Sequence, residues 1–248
     1  MKMLVSDMDG TLLGDVAATR AFCDWWRTHG RNARLVYTSG RFIDSVAASV
    51  REHQLPIPDA IVGGVGTEIL DCTTDQRDLD WERRWRLTWD RDTVVSALGD
   101  FSELELQPDV FQSFGKVSYY LNQAGADLLN DIHCAIADCE IMTEIIYSSD
   151  RDLDILPRGV DKGSAAAYLA QRWSVDPAEV VACGDSGNDL SLFCQGFRGI
   201  VVANAQAELL AAVGSNVYFA TKPFAAGVVE GLSRLHPSRS EAATCANS

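Results

Sequence analysis

Hydrophobic positions in the first quarter of the chain alternate between short continuous runs and helically spaced stripes. The continuous runs predict strands at residues 3–5, 33–37 and 60–62. The segments between them carry apolar residues on one side only, which predicts helices over 15–29 and 42–53. This strand–helix–strand order is typical of a parallel sheet with crossover helices, and it predicts an α/β fold.

The pattern changes between residues 79 and 158, a segment that we name the insertion. Trp81, Trp85 and Trp89 recur at every fourth position, a spacing that places three large rings on one face of a helix. Such a stripe favours packing over sugar stacking. Beyond it the pattern predicts a strand at 115–121, a helix at 124–138 and a strand at 140–147. The insertion is therefore predicted to be an α+β unit, and residues 71–80 before it a loop.

The alternation of strands and helices resumes after residue 159. It predicts a helix at 162–173, a strand at 179–183, a helix at 189–194, a strand at 199–203, a helix at 205–213, an edge strand at 217–219 and a helix at 225–235. We therefore predict a Rossmann-like, doubly wound parallel sheet core built from 1–78 and 159–236, with the insertion at 79–158 between them. Residues 237–248 have almost no apolar content and are predicted to be disordered.

Composition and charge restrict the partners of this chain. Its 248 residues are 47% hydrophobic and 23% charged, as is usual for a globular protein. The formal net charge of -14 has the wrong sign for binding nucleic acid or an anionic membrane. No secretory signal pattern opens the sequence, and no apolar run approaches the roughly 18 residues that span a bilayer. We therefore expect neither nucleic acid nor a membrane as a partner.

The cysteines indicate a reducing compartment. There are seven, an odd number, and they are scattered without a Cys-x-x-Cys pair, which disfavours both a disulfide framework and a structural zinc site. Cys183 and Cys194 lie in or near apolar segments, where we expect them to be small buried hydrophobes. The predicted location is the cytoplasm.

Candidate chemistry begins at the end of the first predicted strand. Asp7 and Asp9 are two positions apart, so both side chains can point the same way where the strand ends, and open α/β folds bind ligands at that edge. Two carboxylates held together repel each other unless a divalent cation or a shared proton offsets their charge. The pair is a candidate metal and phosphoryl-transfer centre. The alternative, an Asx turn that closes a hairpin, stays open on these residues alone.

Two shorter signals follow further strands. Ser39 and Arg41 offer a hydroxyl and a guanidinium beside Gly40, whose backbone can approach a ligand closely. Taken alone, this tripeptide is more often a plain turn. Lys162 stands at a predicted helix start, where the helix dipole is already positive, which suggests an anionic partner. A solvated surface lysine is the alternative.

The strongest single signal is the sequence Gly184-Asp185-Ser186-Gly187-Asn188-Asp189, directly after a predicted strand. Asp185 is placed to join Asp7 on a metal, and Asn188 and Asp189 to surround that site. A glycine-rich turn without chemistry is the alternative interpretation.

In this order, Asp7-Met8-Asp9-Gly10-Thr11, Ser39-Gly40-Arg41, Lys162 and the 184–189 segment resemble the four motifs of the haloacid dehalogenase phosphatase superfamily. The insertion resembles the α/β cap of the subgroup that hydrolyses sugar phosphates. Within that subgroup the chain resembles the sucrose-phosphate phosphatases over nearly its whole length. Supporting segments are 65–69, 116–119, 147–157, 161–165 and 203–205. Gly10 departs from the Asn that bacterial sucrose phosphatases often carry, which bears on the substrate and not on the chemistry.

The resemblance implies a role for each motif residue. Asp7 is implied as the nucleophile and Asp9 as the general acid and base, while Ser39 and Lys162 hold the phosphate oxygens. Asp189 is implied to orient Lys162 or a metal-bound water. Mg2+ is the implied cofactor, held by the Asp7 carboxylate, the Asp9 backbone carbonyl and Asp185. The implied substrate-binding residues are Thr11, Gly40, Arg41, Glu68, Lys116, Asp152, Asp154 and Asn188.

The activity implied is Mg2+-dependent hydrolysis of sucrose-6-phosphate through an aspartyl-phosphate. We expect a small-molecule sugar phosphate as the substrate, a monomeric state and, as a further partner, a transient contact with a sugar-phosphate synthase. One alternative is the same chemistry on a glucosylglycerol-, glucosylglycerate- or mannosylglycerate-type phosphate. A second is a sugar phosphomutase, which would accumulate a sugar bisphosphate. A non-enzymatic sugar-sensing or scaffolding domain is disfavoured because no catalytic position is missing.

Overall fold

The computed structural model of the chain describes residues 1–235. Its strands are β1 (Met3–Asp7), β2 (Arg34–Thr38), β3 (Ala60–Gly63), β4 (Glu68–Asp71), β5 (Gln76–Arg77), β6 (Glu105–Leu106), β7 (Val117–Tyr120), β8 (Thr143–Ser148), β9 (Asp152–Pro157), β10 (Val180–Gly184), β11 (Arg198–Val201) and β12 (Val217–Phe219). Its α-helices are α1 (Val16–His29), α2 (Ile43–Glu52), α3 (Leu79–Arg83), α4 (Arg91–Ala97), α5 (Ala126–Ala137), α6 (Lys162–Arg172), α7 (Leu190–Phe193), α8 (Ala207–Ala212) and α9 (Phe224–Leu235). The predicted disordered tail at 237–248 lies outside the described residues.

An eight-stranded sheet forms the core, in the order β12-β11-β10-β1-β2-β3-β4-β5. The six strands from β12 to β3 are parallel, and β4 and β5 continue the sheet antiparallel. In this register Asp7 lies beside Thr38 and Ser6 beside Cys183, so the carboxyl ends of β1, β2 and β10 meet at one edge. The predicted Rossmann-like core is confirmed, and its central edge is where ligands bind in such folds.

Helices cover both faces of this sheet, as the alternation of side chains along β1 requires. Met3 and Val5 are buried in one apolar cluster with Leu169 of α6. Leu4, between them, is buried in the other cluster with Val228 of α9. Successive side chains of a strand point to opposite faces, so a strand buried on both sides is apolar throughout. The sheet is therefore doubly wound.

The insertion contains a second sheet, which is antiparallel and has the order β6-β7-β9-β8. Ile132 and Ile136 of α5 and Val94 of α4 are buried against the strand residues Leu153 and Ile155. These side chains belong to the same continuous apolar cluster as Met3 and Val5. The packing of the insertion is therefore continuous with one face of the core.

The tryptophan stripe is buried, but the helix predicted for it is too long. Trp81, Trp85 and Trp89 are all at most 5% exposed, so the prediction of packing is confirmed. The helix α3 ends at Arg83, and turns carry the chain past the other two rings. The indole N–H of Trp81 donates to the Gly66 carbonyl oxygen at 2.8 Å, so a core loop holds this ring.

Several further expectations are wrong. The loop predicted at 71–80 contains β5 and the start of α3, and the elements α4 and β6 were not predicted. Cys183 is buried as expected, but Cys194 is exposed, because α7 ends before it. No helix in residues 1–235 is long and apolar enough to cross a membrane.

Candidate active site

The carboxyl ends of β1, β2 and β10 form the floor of a cleft of about 310 Å3, and the insertion supplies its opposite wall. Nine of the predicted site residues line this cleft: Asp7, Asp9, Gly40, Arg41, Lys116, Asp152, Asp154, Asp185 and Asn188. They come from five separate segments of the chain, which the parallel register and the insertion bring together.

Lys162 is a buried cation at the centre of the floor. Only 1% of its surface is exposed, which excludes the solvated lysine. Its ammonium donates to Asp7 Oδ1 at 2.6 Å, to Asp189 Oδ1 at 2.7 Å and to Asn188 Oδ1 at 2.5 Å. Three oxygens satisfy the three N–H donors of an ammonium, as burial demands. Burial disfavours its charge, but the carboxylates of Asp189 and Asp7 outweigh that cost and raise the pKa of Lys162.

A capping box holds Lys162 in place. Asp161 precedes α6 and accepts a hydrogen bond from Ser164 N at 2.6 Å, while Ser164 Oγ accepts one from Asp161 N at 2.9 Å. This reciprocal pair satisfies the free N–H groups of the first turn. Lys162 follows the cap, so the helix start is fixed and the long side chain extends to the strand ends.

Asp7 and Asp185 carry more negative charge into this floor than Lys162 balances. Burial, with the Asp189 carboxylate adding to it, raises the pKa of Asp7 well above its usual range. The same two causes raise the pKa of Asp185 to about 7, against the hydrogen bond that it accepts from Thr11. Buried acids that repel one another hold protons more tightly, and a cation reverses this.

Asp189 organises the floor. It is fully buried, and Oδ1 accepts from Lys162 while Oδ2 accepts from the backbone N–H groups of Asp185 at 2.9 Å and Ser186 at 3.1 Å. Both of its oxygens are therefore engaged inside the protein. Asp189 thus contacts Lys162 directly, and its role in orienting Lys162 or a metal-bound water stays a prediction.

The acidic cluster fits a hard divalent cation. One carboxylate oxygen from each of Asp7, Asp185 and Asp189 lies within 4.8 Å of the others. Mg2+ and similar ions take oxygen ligands of this kind, and three buried carboxylates beside the single Lys162 ammonium leave a surplus of negative charge that a cation would balance. Both oxygens of Asp189 already accept hydrogen bonds from protein groups. Asp7 and Asp185 are therefore the two carboxylates of this cluster with capacity for a metal.

Asp9 differs from its neighbour. Its side chain is 58% exposed, and Oδ2 lies 2.8 Å from Arg41 Nε in an ion pair. The carboxylate is not part of the buried acidic cluster of Asp7, Asp185 and Asp189. The two aspartates of the opening motif are thus separated by environment, one buried beside a lysine and one at the cleft surface beside an arginine.

Gly10 directly follows Asp9 and has a backbone conformation that favours glycine. Its φ is +83°, and a Cβ there would stand 2.4 Å from Asp185 Oδ2. A side chain at this position would displace the Asp185 carboxylate or strain the backbone.

Three of the predicted residues lie outside the cleft lining. Thr11 is buried and donates to Asp185 Oδ1 at 2.7 Å. Ser39 is buried, and its hydroxyl accepts the Arg41 backbone N–H at 3.0 Å. Glu68 lies away from the cleft lining, because Oε1 accepts from Arg77 at 2.7 Å and Oε2 from Ile43 N at 3.4 Å. Its contact with the substrate stays a prediction.

The insertion supplies charged and polar groups to the upper wall. Lys116 Nζ donates to Asp154 Oδ1 at 3.2 Å, and Ser118 Oγ donates to the same oxygen at 2.5 Å. Asp152 accepts from Gln107 Nε2 at 2.9 Å and pairs with Arg151. Asp152 and Asp154 are two positions apart on β9, so their side chains share one face of this strand.

Sequence reasoning missed several lining residues: Gln107, Phe111, Tyr120, Ser148, Ser149, Arg151 and Ser186. Gln107 and Phe111 fall in a stretch without recognisable periodicity, so no signal marked them. Arg151 had one available signal, since it adjoins the predicted substrate residue Asp152.

Comparison with known proteins places this geometry in a family. A family model described as sucrose-6F-phosphate phosphohydrolase matches residues 1–236. The chain is 37% identical over 237 residues to the mannosylfructose-phosphate phosphatase of Agrobacterium fabrum, covering 94% of this chain and 96% of that protein. It is 36% identical over 256 residues to sucrose-phosphatase 2 of Nicotiana tabacum, covering 96% of this chain but 60% of the tobacco protein.

A solved structure agrees with the sequence comparisons. The sucrose-phosphatase of Synechocystis sp., solved in complex with sucrose and phosphate, superposes with a TM-score of 0.89 at 31% identity. The similarity covers 94% of this chain and 97% of that one. The chain therefore belongs to the sucrose-6F-phosphate phosphohydrolase family, a family of sugar-phosphate phosphatases within the haloacid dehalogenase superfamily.

Proposed function

We propose that this protein is a Mg2+-dependent phosphatase that hydrolyses sucrose-6-phosphate to sucrose and phosphate. The observation that carries the proposal is the buried Lys162 ammonium joined to Asp7 below a cleft walled by polar side chains of the insertion. A phosphate fits the charged floor, and a sugar rich in hydroxyls fits the polar wall. The chain's family membership supports the same activity.

Asp7 is proposed as the nucleophile. Its carboxylate attacks phosphorus in line with the leaving sugar oxygen, so a bond from Asp7 to phosphorus forms as the bond to the sugar breaks. Lys162 stands 2.6 Å from Asp7 Oδ1, where its charge favours the ionised carboxylate against the effect of burial, and it is proposed to place a positive charge beside the non-bridging phosphate oxygens. Ser39 is proposed to contribute a further hydrogen bond to those oxygens.

Asp7 and Asp185, with the backbone carbonyl of Asp9, are proposed to hold the metal. Bound Mg2+ supplies a double positive charge that lets the carboxylates and the phosphate oxygens approach one another. This set fits the surplus of acid over base in the floor, where Lys162 is shared among Asp7, Asp189 and Asn188.

Asp9 is proposed as the general acid and base. It protonates the leaving sugar oxygen in the first half of the reaction and takes a proton from the attacking water in the second. Its exposure at the cleft surface supports this role, since it can reach both the sugar oxygen and water. Arg41, paired with Asp9, holds the carboxylate over the cleft.

The sugar end of the substrate is proposed to contact the insertion. Asp152 and Asp154 accept hydrogen bonds from sugar hydroxyls, while Lys116 and Gln107 fix the orientation of these carboxylates. Phe111, which is 38% exposed and lines the cleft, adds an aromatic surface for the apolar face of a sugar ring.

Mannosylfructose phosphate is a second candidate substrate, and a specific observation favours it. The Agrobacterium relative with that name shares 37% identity over 94% of this chain. Sucrose and mannosylfructose both join a hexose to fructose, so a phosphate on the fructose could meet the same floor. The two esters would then differ only at the far hexose, and the insertion would select between them.

Phosphate release from a panel of purified esters tests the proposal. The panel contains sucrose-6-phosphate, mannosylfructose phosphate and the phosphates of glucosylglycerol, glucosylglycerate and mannosylglycerate, each with Mg2+ and with a chelator. We expect the highest kcat/KM for sucrose-6-phosphate and loss of activity with the chelator. A preference of about tenfold or more for another ester, which is about 1.4 kcal/mol, would overturn the substrate. Accumulation of a sugar bisphosphate would indicate a phosphomutase.

We further propose that the enzyme is a cytoplasmic monomer with a transient synthase contact. The scattered cysteines support the reducing compartment, and the surplus of negative charge supports a soluble, freely diffusing chain. Analytical ultracentrifugation of the purified protein tests the monomer, for which a single species at the mass of 27.0 kDa is expected.

A further inference from the structure

Glu208, on α8, joins the two walls of the cleft through one carboxylate oxygen. Its Oε1 accepts the backbone N–H of Ser149 at 2.8 Å and that of Gly187 at 3.2 Å. Ser149 belongs to the insertion, and Gly187 belongs to the loop that carries Asp185 and Asp189. No sequence motif marked Glu208, and the mechanism above does not use it.

On the insertion side, Glu208 holds a tight turn between β8 and β9. Ser149 and Asp150 both have positive φ, +56° and +50°, and the Arg151 N–H donates to the Ser148 carbonyl oxygen at 3.2 Å. The register pairs Ser148 with Asp152, so the chain reverses over three residues, and two consecutive left-handed residues make this turn tight. Arg151 and Asp152 follow directly and line the cleft, so the position of the turn sets theirs.

On the core side, Glu208 holds the start of the loop that contacts Lys162. Gly187 opens a short 3-10 turn whose next two residues, Asn188 and Asp189, both accept from the lysine. The helix that carries Glu208 is itself tied to this loop, because Gln206 N donates to the Asp185 carbonyl oxygen at 2.7 Å. Glu208 is thus fixed relative to the reacting groups and reaches outward to the insertion.

The packing around Gly187 shows how closely these pieces approach. A Cβ at this position would stand 3.1 Å from Glu208 Cγ and 3.1 Å from the Tyr147 carbonyl oxygen. The first of these atoms belongs to α8 and the second to β8. The absence of a side chain at Gly187 therefore lets the insertion contact the loop directly at this point.

We propose that Glu208 is a positioning residue that holds the 148–151 turn of the insertion against the 185–189 loop while a sugar phosphate is bound. This inference rests on the proposed function. A charged acceptor makes stronger hydrogen bonds than a neutral one, and one oxygen shared by two donors keeps both segments at a fixed separation. A movement of the insertion away from the 185–189 loop would remove this partner of the Ser149 N–H, so the contact favours the closed cleft.

Kinetics of Glu208→Ala test the proposal with two substrates. For a disaccharide phosphate, whose sugar must meet Arg151 and Asp152, we expect kcat/KM to fall by about tenfold or more, mainly through a higher KM. 4-Nitrophenyl phosphate has no sugar to enclose, so its kcat/KM should fall by a factor at least about fivefold smaller than the factor for the disaccharide phosphate. Equal losses for both substrates would overturn the proposal, because they would assign Glu208 to the catalytic loop alone.

Two further variants separate the contact from a general loss of structure. Glu208→Gln keeps a side-chain oxygen that can accept from both N–H groups, and it should retain activity within about threefold of the unaltered protein. Glu179→Ala is the matched control, since Glu179 pairs with Lys2 at the opposite end of the sheet. It should leave both activities unchanged. A Glu208→Gln variant as impaired as Glu208→Ala would count against the hydrogen-bonding role.

Amide hydrogen exchange gives a readout that needs no turnover. Glu208→Ala should speed exchange in peptides that cover 148–151 and 185–189, and Glu179→Ala should not. Unchanged exchange at both segments would overturn the proposal. If the unaltered protein hydrolyses no sugar phosphate, the proposed function fails on that result alone, while the exchange data still decide whether Glu208 joins the two segments.

Discussion

At the residue scale, the fold places the two aspartates of the proposed mechanism in opposite environments. Asp7 is buried against Lys162, and Asp9 is exposed against Arg41. Burial and neighbouring charge set what a carboxylate can do, so a pair two positions apart can divide attack from proton transfer.

Asp9→Asn should affect substrates according to their leaving groups. A sugar oxygen needs a proton to leave, so kcat for a sugar phosphate should fall by about 10²–10⁴-fold. The nitrophenolate of 4-nitrophenyl phosphate leaves without one, so formation of the phosphorylated enzyme from it should be much less impaired. Burst-phase kinetics with both substrates measure this. Equal impairment of that first step with both esters would contradict the general-acid role.

Lys162→Met should cost both activity and stability. The variant leaves the buried carboxylates of Asp7 and Asp189 without their shared cation, which costs about 3–5 kcal/mol of unfolding free energy. Phosphate release should fall by about a thousandfold or more, because no ammonium faces the transferring phosphoryl group. Urea unfolding and steady-state rates measure the two effects. Lys2→Met, at an exposed lysine, is the control and should alter neither, and an active Lys162→Met enzyme would refute the role.

At the element scale, three strand ends and one helix start converge because the sheet is parallel. The loop between β3 and β4 packs against the helix start, which is the start of α6. Gly66 in that loop has a φ of +108°, and a Cβ there would stand 2.3 Å from the Asp161 carbonyl oxygen. The loop therefore touches the backbone that caps α6, one residue before Lys162.

Gly66→Ala should loosen the start of α6. The methyl group cannot fit at 2.3 Å, so either the loop or the helix cap must move, at a cost of about 2 kcal/mol or more. Thermal unfolding should show a lower Tm, and kcat should fall because Lys162 shifts. Gly125→Ala is the control, since no atom lies within 4 Å of a Cβ at that position. Equal Tm values for the two variants would contradict the proposed strain.

The elements that the sequence predicted well are those whose signals are local. Apolar runs that end in Asp7, Ser39 or Asp185 marked the strands and the edge where these residues meet. The ion pair of Glu68 with Arg77 was not predicted, because Arg77 lies on β5, in a segment with no strand pattern. The contact of Glu208 with Ser149 spans 59 positions and depends on how the insertion packs, which no periodicity encodes.

At the scale of the whole molecule, an acidic chain concentrates several of its acids in one buried floor. The protein has 35 acidic and 21 basic side chains, and Asp7, Asp185 and Asp189 are all buried together. A bound cation offsets this surplus of negative charge, whereas without a cation the repulsion lowers the stability of the folded protein. Stability should therefore depend on pH and on Mg2+ together.

Without metal, stability should fall as pH rises from 5 to 8. The folded pKa of Asp185 is raised from 3.8 to about 7 by burial and then by Asp189, so between these values the folded state holds a proton that the unfolded state has lost. Asp7 is shifted in the same direction. Each kcal/mol lost should lower Tm by about 2–4 °C in a protein of this size.

Thermal unfolding in a chelator and in excess Mg2+ measures this dependence. Mg2+ binds the ionised carboxylates, so it should restore Tm at pH 8 and do little at pH 5. Asp185→Asn should flatten the pH dependence in the chelator. A Tm in the chelator that is the same at pH 5 and pH 8 would contradict the surplus of buried acid.

Asp7 is proposed to take the phosphoryl group from a disaccharide phosphate. To test this, the enzyme is mixed with Mg2+ and sucrose-6-phosphate and quenched with acid within milliseconds, and the phosphoryl group is located by peptide mass spectrometry. We expect one phosphoryl group on Asp7, and none when Mg2+ is chelated or when Asp7→Asn is used. Phosphate release with no labelled Asp7, or with the label on another residue, would contradict it.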